Sequence, residues 1–286
     1  MVRNKLNRVL LELLTAVLFL LIFSPFYILI VNAFKSRFQV LTDVLGLPAD
    51  WGQVTANLQA VLHSPNLRFW ASAASSVIIT VGSLLVITLF SSMGAWVLVR
   101  SKTKVSGFLF MMYVAAMVVP FQVVMLPLVA WMRILQNAIG LQILRTYGGM
   151  IFAYLGFGSS LSIFLYHGFM KGIPLELEQA ATIDGCSKWQ VFFRIVLPIL
   201  RPITVTVLVL NGIWIWNDYL LPLLMLGTGN EIQTIPLAIA SFVGSFVKQW
   251  ELIMLALLLA IIPVVIFYLF AQKQIIKGMV EGSIKG

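Results

Sequence analysis

Apolar residues come in long uninterrupted runs, and polar ones are confined to the segments between them. Runs at 9–34, 69–99, 107–131, 147–169, 203–225 and 252–270 are nearly free of charge. Each is close to or above the roughly 20 residues that an α-helix needs to cross a bilayer. The pattern predicts an all-α integral membrane protein with six transmembrane helices. The run at 9–34 follows Arg3, Lys5 and Arg8 as a secretory signal would, but it exceeds the roughly 7–15 residues of a signal core and no small-residue cleavage pattern follows it. It is expected to stay as the first span.

The segments between the runs add detail. Residues 35–68, with Pro48, Asp50, Trp51, Asn57 and Pro65, have room for short interfacial helices. Arg133 and Arg145 bracket a short amphipathic piece. Pro120 and Pro127 predict a bend in the third span, where neighbouring helices must satisfy the freed carbonyls. Gly82, Ser83 and the small residues of 91–96 predict close helix–helix packing in the second. No internal repeat stands out, which argues against an inverted-repeat secondary transporter. The expected division is 1–68 (first span and outer loop) and 69–286 (core), the latter carrying a polar loop at 174–201 and a tail at 271–286.

Composition supports the membrane assignment. Of 286 residues 60% are hydrophobic and only 10% charged, against about a quarter charged in soluble domains. The net charge of +9 suggests nucleic acid until its placement is considered. With the amino terminus inside, 13 of the 19 lysines and arginines fall in inner segments and 6 in outer ones. The positive-inside rule therefore accounts for the charge without a nucleic-acid partner and puts both termini in the cytoplasm. Cys186 is the single cysteine, and His63 and His167 stand apart, so neither a disulfide nor a metal site is expected.

The stretch EQAATIDGCSKWQVFFRIVLPILRP, from Glu178 to Pro202, breaks the apolar pattern on the cytoplasmic side. Pro174 sits near a helix start, Glu176 and Glu178 occupy the first turn where they complement the dipole, and Gly185 ends the helix. Ser187 is the expected N-cap of a second helix that stops at Pro198. Two short helices joined at a glycine make a cytoplasmic knob. Its aromatic residues, Trp189, Phe192 and Phe193, must be buried against the protein's own helix ends or against a partner.

This stretch resembles the coupling signature of permease subunits of binding-protein-dependent ATP-binding-cassette (ABC) importers: E-A-A, three residues, G, nine residues, I-x-L-P. Here Gln179, Ala180, Ala181, Gly185, Ile195, Leu197 and Pro198 stand at that spacing, with Gln179 in the usual Glu position and Glu178 just before it. The surrounding IPLELEQAATIDG, WIWNDYLLPLLML and GSIKG are similar to the second permease of the carbohydrate-uptake branch, the maltose-type MalG-like subunits. The resemblance runs from about Phe69 to the carboxyl end.

It implies the type I importer permease fold and a heterodimer with a related permease. It further implies two ATPase copies that use ATP and Mg, and an extracytoplasmic sugar-binding protein. The permease binds no cofactor directly and is no enzyme, in keeping with the lack of any G-x-x-x-x-G-K-[ST] loop. The knob, with Glu178, Gln179, Ala180, Ala181, Asp184, Gly185, Trp189, Leu197 and Pro198, would couple to the ATPase. The tail, with Lys285 and Gly286, would reach between the ATPase subunits. Gly227, Thr228, Gly229 and Asn230 would touch the binding protein.

Polar residues also occur in the fifth run. Asn211, Trp214, Asn217 and Asp218 could line a sugar path, since groups at such depth face a bundle interior or a watery cavity. Trp216 to Tyr219 could equally mark the outer aromatic belt. Two rival readings are a permease of this architecture for another solute, such as a glycerophosphodiester or peptide, and a secondary transporter. The second is poorly supplied: apart from Asp218, only Glu12 and Glu251 lie near span ends.

Overall fold

The computed structural model describes residues 2–243 and 249–283, with side chains over 7–240, 249–270 and 272. Helices dominate: α1 (Val2–Ala33), α2 (Arg37–Thr42), α3 (Gln53–Leu62), α4 (Phe69–Ser101), α5 (Lys104–Ala116), α6 (Phe121–Ile139), α7 (Tyr147–Met170), α8 (Glu176–Ile183), α9 (Lys188–Val191), α10 (Leu197–Ile199), α11 (Arg201–Asn217), α12 (Leu220–Leu226), α13 (Ile235–Val243) and α14 (Trp250–Ser283). Among the described residues, five helices are long and apolar enough to cross a membrane, and a sixth span results if the bent pair 188–199 and 201–217 counts as one.

Two compact units make up the chain, one from 1–70 with 238–262, the other from 71–237 with 263–286. In the first, α1 buries little of its apolar surface: Leu13, Phe19 and Ile22 are all exposed. Such a surface suits lipid, not water. Beyond α1, Lys35 is wholly buried, its Nζ donating to Asp43 O at 2.6 Å and Asn32 Oδ1 at 3.3 Å. Asn57 of α3 donates to Ala33 O and Lys35 O, both at 3.0 Å. The interfacial helices expected within 35–68 are thus α2 and α3, tied to the end of α1 by buried polar groups.

In the second unit α7 packs on α5 and α11, and meets α4 at two glycines. A Cβ at Gly82 would lie 2.7 Å from Ile151 Cδ1, and one at Gly158 would lie 2.6 Å from Ile87 Cδ1. Glycine on one helix receives isoleucine from the other, in alternation, so the backbones approach closely. The small residues of the second span act as expected. Ser75 Oγ meets Tyr147 Oη at 2.9 Å, and Ile235 N donates to Ser76 Oγ at 2.8 Å, which pins α7 and α13 to the same helix.

Two boundaries differ from the sequence reading. The third apolar run is broken into α5 and α6 at 117–120, with Pro120 as N-cap of α6; lacking an N–H, Pro120 fits a helix start better than an interior. The amphipathic piece between Arg133 and Arg145 is no separate helix. Its first half continues α6 to Ile139, and Gly140 stops it at φ +68°.

Candidate functional site

The knob folds as two helices joined at a glycine. Glu176 and Glu178 lie in the first turn of α8. At its other end Cys186 N donates to Ala181 O at 2.9 Å and Gly185 N to Thr182 O at 3.0 Å. This is the paired 6→1 and 5→2 pattern of a Schellman cap, with Gly185 in the left-handed region at φ +85°. Ser187 then caps α9 in a reciprocal capping box: Gln190 N donates to Ser187 Oγ, and Ser187 N donates to Gln190 Oε1 at 2.7 Å.

The second helix does not stop at Pro198. Residues 192–196 widen into a π-turn, closed by Leu197 N on Phe192 O, and the helix resumes as α10 to Ile199. Pro198 has no N–H for Arg194 O and its ring would crowd that carbonyl in a regular helix, so a widened turn relieves the conflict. A bend of 75° separates this segment from α11.

The knob has an inner and an outer face. Phe192 is fully buried against the chain's own helices and packs on Trp96 of α4 with ring centroids 5.4 Å apart. Glu178 is also buried, taking Trp96 Nε1 at 2.9 Å and Arg100 Nε at 2.9 Å. Glu178, expected among the ATPase-coupling residues, has its carboxylate paired inside the chain. Ala181 is buried too. Outward point Gln179, Ala180, Asp184, Pro198 and the apolar side chains of Ile183 (85% exposed), Trp189 (63%) and Phe193 (45%). A groove of about 490 Å³ separates the two faces, with Trp96 and Glu178 in its lining beside Leu175, Gln179, Ile183 and Lys188. Water is a poor solvent for such a face.

The fifth-span residues are brought together only in part. Asn211 is buried in the α7–α11 contact, its Nδ2 donating to Ser162 Oγ at 3.0 Å and Val207 O at 2.9 Å, with Gly158 against its Oδ1. Expected on a sugar path, the amide here ties α11 to α7. Trp214 stands edge-on to Phe121 and Tyr154, at 5.3 and 5.5 Å. Asp218 accepts from Tyr154 Oη at 2.9 Å and caps α12 through Leu220 N at 3.0 Å. Asn217 is exposed and turns back onto Ile213 O. Gly227 ends α12 at φ +75°; Thr228 and Gly229 are exposed, and Asn230 is half-buried. Lys285 and Gly286 lie outside the described residues. Sequence reasoning missed Trp96 and Arg100; their i, i+4 spacing on one helix face was the available signal.

Residues 87–281 match the protein family described as "Binding-protein-dependent transport system inner membrane component". The chain is 44% identical to a "Probable starch degradation products transport system permease protein AmyC" of Thermoanaerobacterium thermosulfurigenes, over 98% of this chain and 97% of the relative. It is 32% identical to the melibiose/raffinose/stachyose import permease protein MelC of Bacillus subtilis, over 99% of both. The fold resembles a chain of a bacterial ABC transporter involved in import of the acidic polysaccharide alginate, with a TM-score of 0.80, 21% identity, and coverage of 94% of this chain and 96% of that one.

Proposed function

The chain belongs to the family of binding-protein-dependent transport system inner membrane components, and from that premise we propose that it is the permease of an ATP-driven importer of oligosaccharides. The full-length likeness to permeases named for starch degradation products and for melibiose, raffinose and stachyose carries the substrate class. The chain works beside a second related permease, receives sugar from an extracytoplasmic binding protein, and hydrolyses nothing itself. Two ATPase copies supply ATP and Mg chemistry. The knob docks into the ATPase by its outer face, through Ile183, Trp189 and Phe193, with Gln179 at the edge. Exposed aromatic anchors of this kind dominate the binding energy of interfaces. Both termini and the knob lie in the cytoplasm, the side richer in lysine and arginine.

The path role is retained for Trp214 and Asn217 at the outer end of α11, and Gly227 to Asn230 offer a flexible turn to the binding protein. Purification in mild detergent from its native membrane, followed by mass spectrometry, tests this reading. An ATPase and a second permease should co-purify, and Trp189→Ala should lose the ATPase while keeping the permease partner. A chain that purifies alone and moves solute without ATP refutes it.

A further inference from the structure

Three groups converge at the cytoplasmic end of α4. Trp96 and Arg100 are one helical turn apart, so both side chains reach the same carboxylate on α8. Glu178 Oε2 takes Trp96 Nε1 at 2.9 Å, and Oε1 takes Arg100 Nη2 at 2.7 Å and Nε at 2.9 Å. The same Nη2 also donates to Ile173 O at 3.1 Å, in the turn from α7 to α8. The Trp96 ring closes on Phe192 in the π-turn. The end of α4 is therefore held to α8, to the turn before it and to the start of the second knob helix. Charge-assisted bonds of this geometry are shorter and directional. They resist sliding and pulling, where apolar contact alone resists little besides separation.

We propose that Glu178, Arg100 and Trp96 are positioning residues that lock α8 to α4, so that displacement of the knob moves the cytoplasmic half of α4 with it. The proposal rests on the importer reading and deepens it. The outer face of the knob receives the push, and the inner face passes it on. The neighbouring positions divide the work: Gln179 faces out, while the Glu178 carboxylate is held by α4, so Glu178 does not stand in for a glutamate at position 179. The knob then has two outputs, the bent joint at Leu200 into α11 and this link into α4.

The test uses the whole transporter in proteoliposomes and reads sugar moved per ATP hydrolysed. Glu178→Ala and Arg100→Ala should each lower that ratio at least tenfold with the ATPase still bound, and the double variant should be no worse than either single one. Arg100→Lys, which keeps the charge, should recover part of the loss, and Trp96→Phe should fall between. Spin labels at Glu176, exposed on α8, and at Val97 should keep one separation through the nucleotide cycle with Glu178 in place and drift apart in Glu178→Ala. Normal ratios with an unchanged separation would overturn the link. Should the alanine variants fail to assemble, Arg100→Lys and Trp96→Phe decide alone, since each removes little, and wild-type coupling in both refutes the proposal. Failure of the importer reading is separate: the unmodified transporter would then show no ATP-driven uptake at all.

Discussion

Replacing Gly185 isolates the conformational demand of the knob's turn. A Cβ built on Gly185 meets no atom within 4 Å, so a side chain there costs no clash. The cost lies in the backbone: φ is +85°, and an L-residue in the left-handed region loses roughly 1–2 kcal/mol, more for a β-branched residue than for alanine and less for asparagine. That amount is a factor of roughly 5–30 in the local opening equilibrium. Hydrogen exchange at the Cys186 amide, which donates to Ala181 O at 2.9 Å, should therefore accelerate in the order Asn, Ala, Val. Sugar uptake should fall in the same order, with Gly185→Val uncoupled from ATP hydrolysis yet still inserted. Equal exchange and equal uptake in the Asn and Val variants would refute the reasoning, because the two differ little in reach but strongly in tolerance of positive φ.

Gly158→Val places a Cβ 2.6 Å from Ile87 Cδ1 and 2.8 Å from Asn211 Oδ1. Overpacking of that kind costs about 1–3 kcal/mol, so the detergent-solubilised protein should melt several degrees earlier, and an unchanged melt contradicts the α4–α7 packing. Lys35→Met removes the donor to Asp43 O and Asn32 Oδ1, at about 1–3 kcal/mol for the buried Asn32 acceptor left unsatisfied. Limited proteolysis should then cut within 35–68 faster than in the parent; equal protection contradicts the buried tie.

The element boundaries that could be read from sequence were those set by local chemistry. Ser187 and Gly185 sit at the cap positions their side chains or backbone favour, and the first, second, fourth and sixth apolar runs became single long helices. What escaped depended on neighbours distant in sequence. Asn211 reads as a polar intruder until Ser162, 49 positions away, is seen to accept its hydrogen bond. Glu178 and Gln179 are adjacent, and only docking on α4 decides which of them faces inward. Pro198 looks like a terminator, yet a π-turn absorbs it and the helix continues. Pro120 marks the place of the break at 117–120, but the high hydropathy around it reads as one bent span where the structure has two helices.

The most direct test of the account is uptake of labelled maltooligosaccharides into vesicles holding the purified transporter, with binding protein outside and ATP supplied or withheld inside. Uptake that requires both ATP and the binding protein is the predicted result. Uptake that proceeds without ATP and follows an imposed ion gradient would contradict it and leave the knob without an engine to couple to.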